Sequence, residues 1–183
     1  MPFDLEGFHW GDDIQFSESG QQPLEYDTGF TKSTKLVLED VVQGVLVQKC
    51  GYRYRDVLLF GLGQGGMAAL AVAAALGTTP ASASELQKEL GGVVSLGGVV
   101  PEESTGQALG TPVLVVGGER ETLVTRTGLE RTKRIFKNVE YNKWGRQGDG
   151  MPRDKEEMMP VMKFFARRLK SRQGVPEGAV EVG

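Results

Sequence analysis

The sequence predicts an α/β fold in which helices cover both faces of a mostly parallel sheet, giving three layers, α/β/α. Two observations carry this prediction. Short, continuous apolar runs, which are typical of strands buried on both faces, alternate along the chain with segments whose apolar residues recur at helical spacing. Strands that alternate with helices pair in parallel, because each helix returns the chain to the same end of the sheet.

Length and composition are those of a one-domain globular protein. The chain has 183 residues, of which 39% are apolar and 25% charged, and its net charge of −3 is too small to direct it to nucleic acid or an anionic membrane. No apolar run approaches the roughly 20 residues needed to span a bilayer. The N-terminus has no signal-peptide pattern, so we expect a cytoplasmic protein.

The first helix is predicted after an irregular N-terminal segment, residues 1–27, in which no hydrophobic period is sustained. From about residue 28 to Lys49, apolar residues recur at helical spacing, and Gly51 closes the helix. These apolar residues are Leu36, Val37, Val41, Val42, Val45 and Leu46. Cys50, the only cysteine, excludes an internal disulfide and is expected to be buried.

Four apolar runs are predicted to be strands, the last of them weaker than the others. They are Val57–Phe60, Val93–Leu96, Val113–Val116 and Val139–Tyr141. An alanine-rich segment between the first two, Met67–Leu76, is apolar nearly all round and therefore predicts a buried helix.

Two amphipathic helices complete the pattern. Arg126–Phe136 separates the last two strands, and Asp154–Arg172 follows them, capped by Asp154 with Glu157 and interrupted by Pro160. No linker or internal repeat divides the chain, so one domain is expected over residues 1–173, with residues 174–183 as a loose tail.

The turn after the first strand, G-L-G-Q-G-G, has two interpretations. Gly61, Gly63 and Gly66 match G-x-G-x-x-G, in which glycines let a dinucleotide pyrophosphate approach the N-terminus of a helix. That fingerprint also requires an acidic residue at the end of the next strand, about 20 residues on. Here the next strand comes later and runs into G-G-V-V-P without an acid.

The second interpretation is a nucleophile elbow, G-x-S-x-G, a strained strand-to-helix turn that lifts a serine to the top of the sheet. Residues 61–68, G-L-G-Q-G-G-M-A, resemble the G-F-S-Q-G-G-A-x elbow of the phospholipase/carboxylesterase family. That family includes the acyl-protein thioesterases and belongs to the α/β-hydrolase superfamily.

Further segments resemble the same family in the same order along the chain. They are Asp27–Phe30, similar to D-x-x-G-I; Ser95–Pro101, similar to S-x-x-L-P; Gly117–Val124, similar to H-G-x-x-D-x-x-V; and Glu157–Met159, similar to the start of the family's last helix. The resemblance therefore covers nearly the whole chain and implies an α/β-hydrolase fold.

The resemblance implies an ester or thioester hydrolase site, in which a nucleophile, a base and an acid act together. Gly63 stands at the nucleophile position and has no side chain that could attack an acyl carbon. The base position falls in the loop of residues 148–151, near Asp149, where no histidine is present, and a carboxylate such as Asp149, with an unperturbed pKa of about 4, is a poor base at neutral pH. Glu121 matches the triad acid, and the N–H of Gln64 matches an oxyanion-hole donor.

Few other side chains are candidates for this chemistry. His9, the only histidine, lies near Asp12 and Asp13 and is expected to be a loop residue rather than a base or a metal ligand. Ser95 and Ser104 are candidates for a displaced nucleophile, although a hydroxyl at the end of an apolar strand, as at Ser95, is expected to bond to backbone. No metal and no cofactor are expected.

Three functions stay open at this level. The first is a catalytically degraded hydrolase fold that binds an acyl ester or thioester ligand or a protein partner. The second is an active ester or thioester hydrolase with a displaced nucleophile. The third is a dinucleotide-binding module that uses Gly61, Gly63 and Gly66.

The resemblance also implies strands upstream of Val57–Phe60 that this sequence lacks, so the expected fold is an α/β-hydrolase without its N-terminal strands. The strand Val57–Phe60 would then expose an apolar edge. We hypothesise that a missing N-terminal segment or a protein partner covers that edge.

Overall fold

A computed structural model describes residues 9–11, 29–78, 88–106 and 108–169. In these ranges the strands are β1 (Leu58–Leu62), β2 (Gly92–Leu96), β3 (Val113–Gly117) and β4 (Val139–Lys143). The helices are α1 (Thr31–Lys35), continued by the π-helical segment Leu36–Lys49, then α2 (Gln64–Thr78), α3 (Arg126–Ile135) and α4 (Lys155–Arg168), with a 3-10 turn at Tyr54–Asp56. Most of the predicted N-terminal loop and the predicted tail lie outside the described residues.

The strands form one sheet in which every neighbouring pair is parallel and the spatial order follows the chain, β1-β2-β3-β4. β2 and β3 lie in the middle, and each of their residues is buried. This burial explains why their sequences are unbroken apolar runs rather than alternating patterns. The prediction of an α/β fold with a parallel sheet is confirmed.

Two apolar clusters, one on each face of the sheet, join the sheet to a layer of helices on either side, which gives the three predicted layers. On one face, side chains such as Val93, Val113 and Val115 pack against the first helix, α2 and α3. On the other face, Leu114 and Val116 pack against Phe164 of α4 and other apolar residues. Both faces of a parallel sheet must be covered by helices, because an uncovered face would leave apolar side chains in water.

The buried helix α2 begins three residues earlier than predicted, at Gln64 rather than Met67. Gly65 and Gly66, which were assigned to the turn, form its first turn. A Cβ at Gly61 would overlap the backbone of Gly65, and one at Gly66 would overlap the Ser95 hydroxyl. The glycines are thus needed because helix and strands approach closely here.

The first helix starts at Thr31 and changes to π-helical geometry at Leu36. Its bonds reach further along the chain than in an α-helix; for example, Cys50 N donates to Val45 O at 2.9 Å. This wider turn rotates the apolar positions, so that Leu38 and Val42 are buried while three predicted core positions are exposed. The exposed positions are Leu36, Val41 and Val45. The prediction that Cys50 is buried is wrong, because the thiol lies at the exposed end of this helix.

The last two helices follow the sequence prediction closely. α3 is capped by Thr125, whose hydroxyl accepts from Gly128 N at 3.1 Å. α4 is capped by Asp154, whose carboxylate accepts from Glu157 N at 2.8 Å. Pro160 lies inside α4 without ending it. No helix in the described ranges has the length and apolar character that crossing a membrane requires.

Candidate functional site

The carboxyl ends of the four strands lead into loops that meet at one edge of the sheet. Gly63, which follows β1, donates its N–H to Leu96 O of β2 at 2.8 Å. Gly97, which follows β2, donates to Val116 O of β3 at 2.7 Å. Ligands of parallel α/β folds gather at this edge, so we define the candidate site by these loops.

The turn from β1 into α2, predicted to be a nucleophile elbow, presents no side chain at Gly63. Gly63 has φ of +54° and its carbonyl accepts from Gly66 N at 3.0 Å and from Met67 N at 3.1 Å. Apart from the two adjoining residues, no atom of the described residues lies within 4 Å of a Cβ built on Gly63. Within the described part of the chain, the space beside Gly63 is therefore open.

The N-terminus of α2 faces this space. The first N–H groups of a helix have no intrahelical partner, so the N–H groups of Gln64 and Gly65 stay candidates for the predicted oxyanion-hole donors. The Trp10 indole lies beside them, since its Nε1 would be 3.4 Å from a Cβ at Gly65. The Ser33 hydroxyl holds this segment by donating to Trp10 O at 2.7 Å.

The loops after β3 and β4 are joined by backbone hydrogen bonds. Glu119 N donates to Arg146 O at 2.7 Å, and Gly148 N donates to Arg120 O at 2.8 Å. A Cβ at Gly118 would overlap the carbonyl of Gly148, so glycine allows this close pairing. The predicted acid and base positions are therefore brought together.

Asp149, in the loop of the predicted base position, connects the two paired loops through hydrogen bonds to its carboxylate. Its Oδ1 accepts from Gly118 N at 3.0 Å and from the Thr122 hydroxyl at 2.7 Å, and its Oδ2 accepts from Leu123 N at 2.8 Å. A Cβ at Gly97 would be 2.5 Å from Asp149 Cβ, so the carboxylate also borders the loop after β2. Asp149 thus fastens the loop after β3 to the loop after β4.

Glu121, the predicted acid, lies in the same loop with its side chain in solvent. Its φ of +53° lies in the left-handed region that non-glycine residues rarely adopt. It forms no ion pair or side-chain hydrogen bond with another described residue, and it is exposed. The structure therefore places the Asp149 carboxylate, and not that of Glu121, in contact with this loop's backbone.

A group of side chains whose mutual contacts the sequence did not predict supports the loop after β4. Arg146 Nε lies 2.8 Å from Glu157 Oε1 in a largely buried ion pair, and its guanidinium stacks 4.4 Å above the Trp144 ring. Arg146 also donates to Met151 O at 3.0 Å. Arg146 and Met151, on either side of Asp149 in the sequence, are therefore held in place. The structure was needed to find this group, because Arg146 and Glu157 are separated in the sequence.

Tyr141 on β4 is partly buried and is affected by the negative charge of Asp149. Burial, and secondarily the charge of Asp149, raises the pKa of the Tyr141 phenol above its usual value. Both effects disfavour the phenolate. Tyr141 is consequently neutral at physiological pH and does not supply a base there.

The remaining candidates stand apart from an activating group in the described residues. The buried Ser95 hydroxyl donates to Gly98 O at 2.9 Å, which confirms the expected bond to backbone. Ser104 borders a cavity of about 390 Å³ between the first helix and α2, together with Phe30 and Ala71. His9 is exposed, and its neighbours Asp12 and Asp13 lie outside the described residues.

The family model of the phospholipase/carboxylesterases matches residues 2–169. The chain belongs to this family. The predicted family is thereby confirmed, while the interpretation of the turn at Gly63 as the family's elbow stays a prediction. No curated protein sequence matches the chain closely enough to add to this assignment.

Solved structures support the fold. A single-residue variant of Arabidopsis thaliana SOBER1 has 22% identity and a TM-score of 0.58, with 88% of this chain and 74% of that chain covered. Zea mays acyl-protein thioesterase 2 has 18% identity and a TM-score of 0.56, with 88% and 72% covered. YahD with malic acid has 15% identity and a TM-score of 0.54, with 75% and 63% covered.

Proposed function

We propose that this protein keeps the acyl-binding edge of the phospholipase/carboxylesterase fold but does not hydrolyse esters or thioesters, so that it acts by binding an acyl ligand. The observation that carries the proposal is the open space at Gly63, where no atom of the described residues beyond the adjoining two lies within 4 Å of a built Cβ. An acyl carbonyl placed there meets the α2 N-terminus but no nucleophile. Binding without covalent transfer is the chemistry that this arrangement supports.

The role of Asp149 supports the loss of the base. A general base needs a lone pair directed at the nucleophile's proton. Both Asp149 oxygens instead accept hydrogen bonds from residues 118–123. Glu121 is then left without a histidine to orient, and its exposed carboxylate fits that loss.

Exposed apolar side chains on separate loops supply a surface for an acyl chain. Trp10 borders the α2 N-terminus and is 47% exposed, Leu123 follows β3 and is 53% exposed, and Met151 follows β4 and is 52% exposed. Burying apolar area of this kind contributes about 25 cal/mol per Å². The ligand class is therefore an acyl ester, a thioester or the carboxylate product, with its oxygen at the α2 N-terminus.

Trp10 fluorescence tests the proposal. Trp144 is 3% exposed, so an emission change on adding a ligand at the surface reports Trp10. Decanoate and its amide are expected to shift the emission saturably, and Leu123→Glu is expected to weaken their binding about tenfold or more, because it places a charge against the chain. Tyr52→Glu is the matched control, since Tyr52 is 54% exposed and lies before β1, at the opposite end of the sheet.

Two outcomes would count against acyl binding at this edge. One is an unsaturable response of Trp10, and the other is an equal loss of affinity in the Leu123 and Tyr52 variants.

A further inference from the structure

Leu123, one of the exposed side chains of the proposed acyl surface, has a backbone that is held on both sides. Its N–H donates to Asp149 Oδ2 at 2.8 Å, and its carbonyl accepts from Thr125 N at 2.9 Å. The next residue, Val124, is buried in the apolar cluster beneath α2 and α3. Because the chain on either side of it is fixed, Leu123 presents its side chain outward in one defined place.

The backbone just before Leu123 is strained, and bonds to Asp149 hold it in that conformation. Glu121 has a φ of +53°, which a residue with a side chain keeps only where the surrounding contacts determine it. Gly118 N and the Thr122 hydroxyl, on either side of Glu121, both donate to Asp149 Oδ1, at 3.0 and 2.7 Å. The conformation of this loop therefore depends on a single carboxylate.

The same carboxylate joins this loop to the loop after β4, which carries another side chain of the acyl surface. Met151 follows Asp149 by two residues and is exposed. Its carbonyl accepts from Arg146 at 3.0 Å, and Arg146 is paired with Glu157 of α4 at 2.8 Å. Asp149 thus connects a loop anchored on α4 with the loop that carries Leu123, so that its bonds set the position of Leu123 relative to Met151.

We propose that Asp149 is a positioning residue for the acyl ligand: it holds Leu123 in place and so determines how tightly the acyl chain is bound, without touching the ligand itself. The inference rests on the proposed function, because it assigns a role within the same acyl surface. A carboxylate suits this role, since its two oxygens accept from three donors of the other loop at once. A surface that is ordered before binding loses less conformational freedom when the ligand arrives, and this increases its affinity.

Asp149→Asn releases Leu123 while keeping the size of the side chain. An amide has one acceptor oxygen, which keeps two bonds if it faces Gly118 N and the Thr122 hydroxyl. The amide NH2 group then faces Leu123 N–H, and two donors cannot bond to each other. Decanoamide is the ligand for this test, because it is uncharged and its binding is little affected by the lost charge of Asp149.

Trp10 fluorescence measures the affinity of each variant for decanoamide. Asp149→Asn is expected to weaken binding by about threefold or more, because Leu123 is no longer held in place. Asp56→Asn is the matched control, since Asp56 also accepts three hydrogen bonds, all from Arg53, and lies before β1 at the opposite end of the sheet. Equal effects of the two substitutions would overturn the proposal.

A double-mutant cycle with Leu123→Ala separates positioning from a general loss of structure. Leu123→Ala is expected to weaken decanoamide binding by about fivefold or more, because it removes apolar contact. Adding Asp149→Asn to Leu123→Ala is expected to change the affinity by less than about twofold, because Asp149 acts on the ligand through Leu123. Losses that multiply in the double variant would overturn the proposal, since Asp149 would then act independently of Leu123.

Amide exchange of Leu123 tests the hold of Asp149 without any ligand. Protection is expected to fall by about tenfold or more in Asp149→Asn and to persist in Asp56→Asn. Asp149→Ala is measured as well, because it removes both oxygens and so excludes compensation by a reoriented amide. Protection of Leu123 that survives in both Asp149 variants would overturn the proposal.

The two proposals fail in different ways. A parent protein that does not bind decanoamide saturably would overturn the proposed function, and the positioning role with it. Saturable binding with the same affinity in the parent and in Asp149→Asn would overturn the positioning role alone.

Discussion

Gly63 combines a backbone conformation that disfavours side chains with an environment that has room for one. Its φ is +54°, and a Cβ there would meet no atom of the described residues beyond the adjoining two within 4 Å. Gly63→Ser is therefore expected to lower the free energy of unfolding by about 1–2 kcal/mol, from backbone strain alone. Urea unfolding would measure this cost.

Gly51 offers a matched control for that measurement. It has φ of +76° and is equally open, but it lies at the end of the first helix, away from the site. Gly51→Ser should cost about the same. A much larger cost at Gly63 than at Gly51 would mean that the elbow is not open.

Asp149 and Glu121 lie in paired loops but contribute differently to stability. Asp149 accepts three hydrogen bonds, so Asp149→Ala is expected to lower the free energy of unfolding by about 2–3 kcal/mol. Glu121→Ala removes an exposed carboxylate that has no hydrogen bond or ion pair among the described residues, and is expected to change the free energy of unfolding by less than about 0.5 kcal/mol. Equal effects of the two substitutions in thermal or urea unfolding would contradict the assigned role of Asp149.

At the scale of elements, the approach of α2 to the sheet depends on Gly66 and Ser95. A Cβ at Gly66 would overlap the Ser95 hydroxyl, while Ser95 Cβ would be 3.2 Å away. Gly66→Ala is expected to destabilise the fold by about 1–3 kcal/mol. Adding Ser95→Ala should recover part of this loss, because it removes the overlapping oxygen. A double-mutant cycle without such coupling would contradict the packing described for α2.

The strands could be predicted from the sequence because burial on both faces leaves a local signal. β2 and β3 were found to within a residue or two as continuous apolar runs. The boundaries of α2 and the register of the first helix could not be predicted. Gly65 and Gly66 are helical only because the sheet lies against them, and the π-helical turn rotates Val41 and Val45 out of the core.

At the scale of the whole molecule, the predicted site positions lie at one edge of the sheet. This is expected because all the strands are parallel, so that their carboxyl ends lie at the same edge. Gly63, Glu121 and the loop near Asp149 were predicted as site positions by resemblance to the family's motifs, because each follows a recognisable strand, and their catalytic roles stay predictions. The bonds of Asp149 could not be predicted, since they join residues 118–123 to position 149 across about 30 residues of chain. The Arg146–Glu157 pair was missed for the same reason.

The most direct test of the account is the hydrolysis of a short-chain p-nitrophenyl ester and a long-chain acyl thioester by the purified, folded chain. Gly63→Ser and Glu121→Ala would be measured beside it. The account predicts release at the buffer rate by all three proteins, because a serine at the elbow has no base to activate it. Turnover by the parent that Glu121→Ala abolishes would contradict the account, since it would require a nucleophile or an activated water elsewhere at the same edge.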